Sequence, residues 1–263
     1  MAFELALITG ASSGIGEAFA RMLPPDTGLL LTGRDATRLA ALKDDLGNGA
    51  RRVETLAADL ATEAGRDAVI AAARDLPVDL LINNAGLGHF GAFVDNPAEI
   101  EHAMAAVNVV APVVLTRALL PDMIARARQA RRRAGVIVVA STAAFAPLPY
   151  LSTYTATKAF DLFFAEGLAG EMADEPVDVL ALCPGPTRSR FLERAAAERL
   201  APPMLAEPAR VAREGLAALG HRTVHVVGGA NQAYASLTKF VPKRILRSST
   251  RRYMRRTLGL DRS

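Results

Sequence analysis

Short apolar runs recur along the 263-residue chain, and longer stretches with helical spacing separate them. The runs are nearly continuous in Val, Ile and Leu, as in strands that are buried on both faces. The repeated order of strand, helix and strand predicts a parallel sheet that helices cover on both faces. We therefore expect an α/β fold with a single doubly wound parallel sheet of about seven strands and helices on both faces. The predicted strands are residues 5–9, 29–32, 52–57, 78–82, 136–140, 177–182 and 223–227, with helices at 17–23, 36–46 and 62–75 among them.

The charge is distributed unevenly over this pattern. The chain has a net charge of +4, yet residues 231–263 hold nine of its 31 Lys and Arg and one of its 27 acids, Asp261. The excess of positive charge therefore belongs to the tail and not to the body. We expect one domain over residues 1–229 and a basic, helical C-terminal extension over 230–263 that is not an independent domain.

Composition excludes several classes of protein. One cysteine, Cys183, rules out an intramolecular disulfide and a Cys-rich metal site, which suits a reducing cytosol. The first apolar run lacks a basic segment before it and is predicted to be a strand, not a signal peptide. No apolar run approaches the roughly 20 residues that a membrane-spanning helix needs. We expect a cytoplasmic protein that is soluble or lies peripherally at the inner membrane face.

A glycine-rich loop follows the first predicted strand directly. Gly10, Gly14 and Gly16 occur in Thr-Gly-Ala-Ser-Ser-Gly-Ile-Gly, just before the helix that starts near Glu17. Glycines here let the backbone turn tightly and approach a pyrophosphate, which then rests on the N-terminus of the helix. A plain turn would be an equal alternative for an isolated cluster, but the position between first strand and first helix favours a dinucleotide site.

The second predicted strand ends at Gly33, followed by Arg34 and Asp35. A carboxylate at the strand end would bind the ribose 2′-hydroxyl of NAD, whereas a guanidinium suits the 2′-phosphate of NADP. The sequence favours NADP(H) over NAD(H), with Arg38 as a possible helper. Asp35 has a second interpretation, as the cap of the following helix.

Tyr154 and Lys158 stand four residues apart in a stretch compatible with a helix. Residues i and i+4 share a helix face, so the ammonium can lie beside the phenol and favour its ionised form. A phenol with an ordinary pKa of about 10 relays protons poorly near neutral pH, and the lysine moves it toward use. A solvated helix face is the alternative that the pair alone leaves open. Ser141 ends the apolar run before them, and Ser152 and Thr153 are expected to cap the helix.

Five motifs in order resemble the short-chain dehydrogenases/reductases over about residues 4–227. They are the Thr-Gly-x-x-x-Gly-x-Gly loop, Asp59, Asn83-Asn84-Ala85-Gly86, Ser141 with Tyr154 and Lys158, and Pro184-Gly185. The resemblance implies a Rossmann-type sheet and a nicotinamide cofactor, without a metal. Its implied cofactor-binding set is Gly10, Ser12, Ser13, Gly14, Ile15, Gly16, Arg34, Asp59, Leu60, Asn84, Ala85, Gly86, Tyr154, Lys158, Pro184, Gly185 and Thr187.

The resemblance also implies the catalytic roles. Tyr154 would protonate the substrate oxygen, and Lys158 would lower the pKa of that phenol and bind the nicotinamide ribose. Ser141 would hold the substrate oxygen. Asn108 matches an asparagine that positions a water between the lysine and solvent, and it could equally kink a helix. Asp59 could contact the adenine or serve a turn or cap.

The sequence says less about which residues surround the substrate and about the role of the tail. Residues 87–93, 143–151 and 188–200 supply Phe and Leu side chains, including Phe90, Phe191 and Leu192, which suits an apolar carbonyl or alcohol. His89 is expected to be a loop residue. The tail interleaves cations with apolar residues, compatible with one or two amphipathic helices. It could cover the active site or a subunit interface, lie on an anionic membrane surface, or bind nucleic acid, in falling order.

The sequence thus predicts an NADP-dependent oxidoreductase that uses Tyr154 as general acid and base. We expect a small-molecule carbonyl or alcohol as partner, a homodimer or homotetramer, and no nucleic acid. Peripheral membrane contact would occur through the basic tail. The alternative from a different class is a nucleotide-sensing or membrane-associated regulator that retains the fold without the chemistry.

Overall fold

The computed structural model describes residues 2–47, 49, 51–189, 191, 205–238 and 240–258. These residues form a seven-stranded sheet in the order β3-β2-β1-β4-β5-β6-β7, with every pair parallel. The predicted fold class is confirmed, and all seven predicted strands occur within two residues of their expected bounds. The strands are β1 Leu5–Thr9, β2 Gly28–Gly33, β3 Val53–Ala57, β4 Val78–Asn83, β5 Ala134–Val139, β6 Val177–Cys183 and β7 Val224–Val226.

Helices cover both faces of the sheet. They are α1 Gly14–Met22, α2 Ala36–Leu46, α3 Glu63–Arg74, α4 Ala98–Ala105, α5 Ala111–Ala130, α6 Ser152–Glu171, α7 Pro208–Ala218, α8 Gly229–Leu237 and α9 Lys243–Thr257. A π-helical turn at Ala106–Val110 joins α4 to α5, and a short 3-10 helix at Thr142–Phe145 follows β5.

The two faces of the sheet bury separate apolar cores. Phe19 of α1, Leu39 of α2 and Val211 of α7 pack on one face. Leu115 of α5 and Leu162 of α6 pack on the other. The inward residues of β1 divide between these cores by alternation, since successive strand side chains point to opposite faces. Burial on both sides is the reason that the strands read as continuous apolar runs.

The order of the strands reverses direction between β1 and β4, whose connections leave toward opposite ends of the sheet. In an open parallel sheet this switch point leaves a crevice at the carboxyl ends of the two strands. The loop after β1 and the Asn-Asn-Ala-Gly segment after β4 both open into it. The fold therefore brings together the two glycine-containing motifs that are about 75 residues apart in the sequence.

The stretch Ala98–Ala130, which spans α4, the π turn and α5, corrects one expectation. It is 33 residues long with a mean hydropathy of 1.8 in its most apolar window, so by length and composition it could cross a membrane. Asn108, Pro112 and Thr116 interrupt the apolar run, so the stretch is not a continuous series of apolar residues. Half of that window is buried inside the fold, as in the core helix of a soluble protein, so the segment is weak evidence for a membrane span.

Candidate active site

A single cavity of about 1280 Å³ runs along the carboxyl edge of the sheet. The glycine-rich loop and the end of β2 line one end, and Ser141, Tyr154 and Lys158 line the other. All the predicted site residues line it except Gly16 and Asn108, which lie behind its wall. The sequence motifs are thus brought to one place by the strand order.

The loop after β1 is shaped for close backbone approach. Gly10 and Gly14 adopt φ angles of +67° and +61°, which favour glycine. A Cβ on Gly10 would lie 2.9 Å from Cα of Ala85 in the loop after β4. Ser13 is the N-cap of α1 and makes no side-chain capping hydrogen bond, so the first N–H groups of the helix remain available toward the cavity. This is the geometry of an anion cradle.

Gly16 serves packing instead of lining the cavity. A Cβ at this position would come within 2.5 Å of Asn84 Nδ2 and of Gly10 O. Gly16 therefore lets α1 lie close to the loop after β4, and its expected role at the cofactor stays a prediction. The third glycine of such loops is needed for close packing of helix and strand.

Asn84 fastens the two loops to each other. Its Nδ2 donates to Thr9 O at 2.8 Å and to Gly10 O at 3.3 Å, while its own N–H donates to Thr9 Oγ1 at 2.9 Å. Ala85 N donates to the same hydroxyl at 2.9 Å. The prediction that amides of this segment pin a neighbouring loop is confirmed. The cavity floor is consequently rigid at the switch point.

The segment after β2 places one cation, Arg34, at the far end of the cavity, while Arg38 lies in α2 outside the lining. Asp35 caps α2 by accepting from Arg38 N at 3.1 Å, and its Oδ2 lies 3.4 Å from Arg38 Nε. The capping interpretation of Asp35 is confirmed. Arg34 is exposed at the cavity rim and has no ion-pair partner within the described part of the chain. A Cβ on Gly33 would lie 3.1 Å from Ser12 Oγ, which leaves little space for a carboxylate side chain there.

Asp59 has a turn role. Its Oδ1 accepts from Ala61 N at 3.0 Å, and its carbonyl accepts from the hydroxyl of Thr62, the N-cap of α3. It also lines the cavity together with Leu60. At the opposite side, Thr187 lines the cavity and donates to Gly185 O at 2.9 Å.

Ser141, Tyr154 and Lys158 converge at the other end of the cavity. Ser141 follows β5, and its Oγ accepts from Ala143 N at 3.1 Å to start the 3-10 helix. Tyr154 and Lys158 lie one turn apart in α6, so the predicted shared helix face is confirmed. The expected capping of α6 by Ser152 or Thr153 is wrong, because Leu151 is the N-cap and no side chain caps the helix.

Burial raises the pKa of Tyr154 above its ordinary value, while Lys158 and a hydrogen bond with Ser141 act to lower it. The expected direction of the lysine effect is thus present, but burial outweighs it, and the negative charge of Asp161 adds to the increase. A buried phenol loses the solvation that its anion needs. The phenol therefore rests in its protonated form across the neutral range.

Lys158 is an ammonium enclosed by protein. Only 5% of the residue is exposed, and Nζ donates to Val139 O and to Asp161 Oδ2, each at 2.8 Å. Burial lowers the pKa of Lys158, but the carboxylate of Asp161 and the phenol of Tyr154 more than offset this, and the pKa is raised. The sequence reading missed Asp161. Its signal is an acid three residues after Lys158 within the apolar stretch Ala-Phe-Asp-Leu-Phe-Phe.

Asn108 lies fully buried in the π turn behind the cavity. Its Nδ2 donates to Leu87 O and to Thr157 Oγ1, both at 2.9 Å, and its Oδ1 accepts from Leu87 N at 2.8 Å. The side chain thus links the loop after β4 to α6 on the turn between Tyr154 and Lys158. The suggestion of an irregular helix at this residue is confirmed, and π turns of this kind often occur at functional sites.

The cavity near Tyr154 is mostly apolar. Phe191 packs against the Tyr154 ring with centroids 5.3 Å apart. His89 and Phe90 line the wall as well, whereas Leu192 lies outside the described residues. The sequence analysis missed further lining residues, which come from α4, from the π turn and from the two helices of the tail: Ile100, Ala103, Val107, Tyr234, Tyr253 and Met254.

Comparison with known proteins gives a consistent picture. A family model described as short chain dehydrogenase matches residues 4–200. A very-long-chain 3-oxoacyl-CoA reductase of Eremothecium gossypii is 32% identical over 244 residues, which cover 89% of this chain. The chain spans 66% of that reductase's length.

Solved structures match over most of both chains. A short-chain dehydrogenase from Sphingobium yanoikuyae in complex with NADPH has a TM-score of 0.76 and 31% identity, covering 91% of this chain and 96% of its own. A 3-ketoacyl-(acyl-carrier-protein) reductase from Brucella melitensis complexed with NADH has a TM-score of 0.75 and 28% identity, covering 87% and 98%. Both nicotinamide dinucleotides therefore occur among similar structures.

We predict that Asn108→Ala destabilises the protein by about 2 kcal/mol, because it removes the hydrogen bonds to the part-buried N–H and C=O of Leu87 and to the buried hydroxyl of Thr157. Urea unfolding followed by circular dichroism measures the change. Asn96→Ala is the matched control, since Asn96 Nδ2 donates to a single partner, Glu101, in a more exposed loop. Equal stability of the Asn108 variant and the native chain would contradict the bridging role.

Proposed function

The chain belongs to the short-chain dehydrogenase family, and we propose that it transfers a hydride between NADP(H) and an apolar carbonyl or alcohol substrate. Family membership makes it an oxidoreductase that uses a nicotinamide cofactor. The observation that carries the finer proposal is the convergence of Ser141, Tyr154 and Lys158 at the apolar end of a cavity whose other end is an anion cradle. Binding and proton transfer would thus share one continuous space.

The residues present fit a dinucleotide. The open N-terminus of α1 and the glycine turn would hold the pyrophosphate, and Gly86 leaves space beside Lys158 because a Cβ there would lie 3.7 Å from Nζ. When bound, the nicotinamide supplies or accepts the hydride. Arg34, at the rim beside Gly33, would bind a 2′-phosphate through its planar fork. These features support NADP(H) as the preferred cofactor.

Tyr154 is assigned as the general acid in carbonyl reduction. Its phenol would donate a proton to the substrate oxygen, which Ser141 would hold by a hydrogen bond. Lys158 would stabilise the tyrosinate that forms, since an ammonium favours the charged form of the phenol. In alcohol oxidation the same phenolate would accept the proton. The raised pKa of Tyr154 agrees with a phenol that is protonated at neutral pH and so has a proton to donate.

An apolar substrate is supported by the lining near Tyr154. Phe191 packs on the phenol ring, and Phe90, Ile100 and Met254 of α9 line the same cavity. The matched relatives from Eremothecium gossypii and Brucella melitensis are named as reductases of 3-oxoacyl groups on carriers. A carbonyl on a long apolar chain is the substrate class that agrees with both observations.

The long helices offer a surface for self-association. Phe163 of α6 is 72% exposed, and Phe160 of α6 and Val110 of the π turn are exposed as well. Apolar side chains of this size are costly to leave in water. We assign this surface to contact with a second copy of the chain, as a homodimer or as part of a homotetramer.

The tail contributes both to the cavity and to the surface. Met254 of α9 is buried and Tyr253 lines the cavity, whereas Arg247, Arg251 and Arg252 are exposed. Within the described residues, none of these three guanidinium groups has a carboxylate partner. Cations beside exposed apolar residues such as Phe240 are typical of a helix that lies on an anionic bilayer. We assign the protein to the cytoplasm, with peripheral contact at the inner membrane face through this helix.

Replacing Tyr154 by Phe should lower the rate of ketone reduction by roughly 10²- to 10⁴-fold, since the proton donor is lost. NADPH fluorescence, with a panel of long-chain and bulky ketones, follows turnover, and NADPH binding should persist. Tyr150→Phe removes the same hydroxyl from a residue outside the cavity lining and is the control. Undiminished turnover in the Tyr154 variant would remove the catalytic assignment, whereas NADPH binding without any turnover in the native chain would favour a nucleotide-sensing role.

Replacing Arg34 by Ala should weaken NADPH binding by roughly 10- to 100-fold and leave NADH binding almost unchanged, because a charge-assisted contact to the 2′-phosphate is lost. Fluorescence titration with each dinucleotide measures the preference. Lys43→Ala removes an exposed positive charge near the other end of α2 and serves as the matched control. A preference that survives the Arg34 substitution would show that the guanidinium does not select the cofactor.

The triple variant Arg247→Gln, Arg251→Gln, Arg252→Gln should lose about 100-fold in affinity for anionic vesicles, at about 1 kcal/mol for each cation near the surface. Sedimentation of the full chain with phosphatidylserine-containing vesicles measures this at two salt concentrations. Three exposed arginines elsewhere, Arg74, Arg213 and Arg222, give the matched triple control. Binding that is equal in the two triple variants, or absent from the native chain, would rule out the membrane role of α9.

A further inference from the structure

Asp161 makes the closest charged contact of the buried ammonium. Its Oδ2 accepts from Lys158 Nζ at 2.8 Å, three residues along the same face of α6. The side chain is almost completely enclosed, with 1% of the residue exposed. An ammonium has three N–H donors, and Val139 O accepts the second of them. The remaining donor is left for the cavity side, where Tyr154 lies.

Among the described residues, no group other than Lys158 donates a hydrogen bond or a positive charge to the Asp161 carboxylate. Its Oδ1 lacks a hydrogen-bond partner among the described residues. A buried ionised carboxylate is costly unless it is paired, so Asp161 depends on Lys158 as its counter-charge. In turn, Lys158 cannot swing away from Val139 without leaving Asp161 unpaired. The pair therefore holds Nζ in place from the side opposite the cavity.

The pair also alters the field at the phenol. An isolated ammonium beside Tyr154 would favour tyrosinate strongly, whereas an ammonium paired with a carboxylate presents a dipole of small net charge. The charges act accordingly: Lys158 lowers the pKa of Tyr154 and Asp161 raises it. Asp161 thus offsets part of the decrease that Lys158 causes in the pKa of Tyr154.

In the part of the chain that the structure describes, few other titratable groups act on this pair. Cys183, at the end of β6, interacts with both Lys158 and Asp161, but burial raises the pKa of its thiol to about 12, so it stays neutral. Glu166, further along α6, acts on Cys183. His89 lines the cavity, and the groups contributed by β5 and the π turn, Ser141 and Asn108, carry no charge. Asp161 is consequently the negative charge that governs the Lys158 environment.

We propose that Asp161 is a positioning residue that anchors the Lys158 ammonium against Val139 and cancels much of its charge, so that Tyr154 is kept as a proton donor. In carbonyl reduction the proton would pass from Tyr154 Oη to the substrate oxygen while the hydride adds to the carbonyl carbon, leaving tyrosinate beside Lys158. The proton transfer from Tyr154 during carbonyl reduction rests on the proposed function. The effect on the ionisation of Tyr154 does not, and it can be measured without substrate.

The test is a near-ultraviolet titration of tyrosinate absorbance in the full chain. The chain has four tyrosines, and the transition that disappears in Tyr154→Phe is that of Tyr154. In Asp161→Asn this transition should move to lower pH by about one unit or more, because the ammonium loses its counter-charge. Asp161→Glu keeps the charge and should restore a transition close to the native one.

Two controls distinguish a specific effect on the Tyr154 transition from a general loss of structure. Asp79→Asn alters another partly buried carboxylate, which accepts from Glu4 N and Leu5 N at the opposite end of the sheet, and should not move the transition. Circular dichroism at each pH establishes that the chain is folded. If Asp161→Asn does not fold, Asp161→Ser, which also removes the charge, takes its place.

The outcomes discriminate clearly. A transition lowered in Asp161→Asn and restored in Asp161→Glu supports the proposal. An unchanged transition, as expected if Asp161 is uncharged in the native protein, overturns it, and so does an upward shift. A ketone assay on the same proteins then tests the reductase function separately: absence of turnover in every variant would reject that function while leaving the titration result intact.

Discussion

Burial of both faces of the parallel sheet is the constraint on which the site depends. Helices close the faces, so polar side chains from distant parts of the chain can meet in water-accessible space at the carboxyl edge. The reversal of strand order between β1 and β4 opens the crevice there. Asn84 then joins the two loops by hydrogen bonds to Thr9 and Gly10, which converts an opening between strands into a wall of fixed shape.

Behind that wall, the polar groups are supported by a buried network. Asn108 uses both atoms of its amide to tie Leu87 to Thr157, and the Thr157 hydroxyl donates to Tyr154 O at 2.8 Å. The network therefore reaches the backbone of the residue that carries the phenol. The π turn that holds Asn108 interrupts an otherwise continuous long helix, an irregularity that the surrounding contacts stabilise. The irregular turn and the position of the Tyr154 backbone therefore depend on the same chain of hydrogen bonds.

Sequence reasoning recovered the sheet because each strand carries a local signal, an apolar run of the right length. It also found Tyr154, Lys158 and Ser141, whose spacing along the chain reflects one helix face and one strand end. It did not find Asp161, since a single acid in an apolar helix gives no periodic signal, and the burial that makes this acid the partner of Lys158 depends on the elements packed around α6. Nor did it show that Gly16 packs against Asn84, which is far away in sequence. Contacts between elements were the part that local patterns could not supply.

The charges in the cavity are divided between its two ends. At the cradle end the positive potential comes from the N-terminus of α1 and from Arg34, groups that attract an anion but exchange no proton with it. At the other end the positive charge of Lys158 is balanced by Asp161 within the protein. An anionic ligand can therefore be held at the cradle without the proton equilibrium of Tyr154 depending on the same cations. The groups that attract an anion at the cradle are therefore different from the charged pair beside the phenol, which lies at the opposite end of the same cavity.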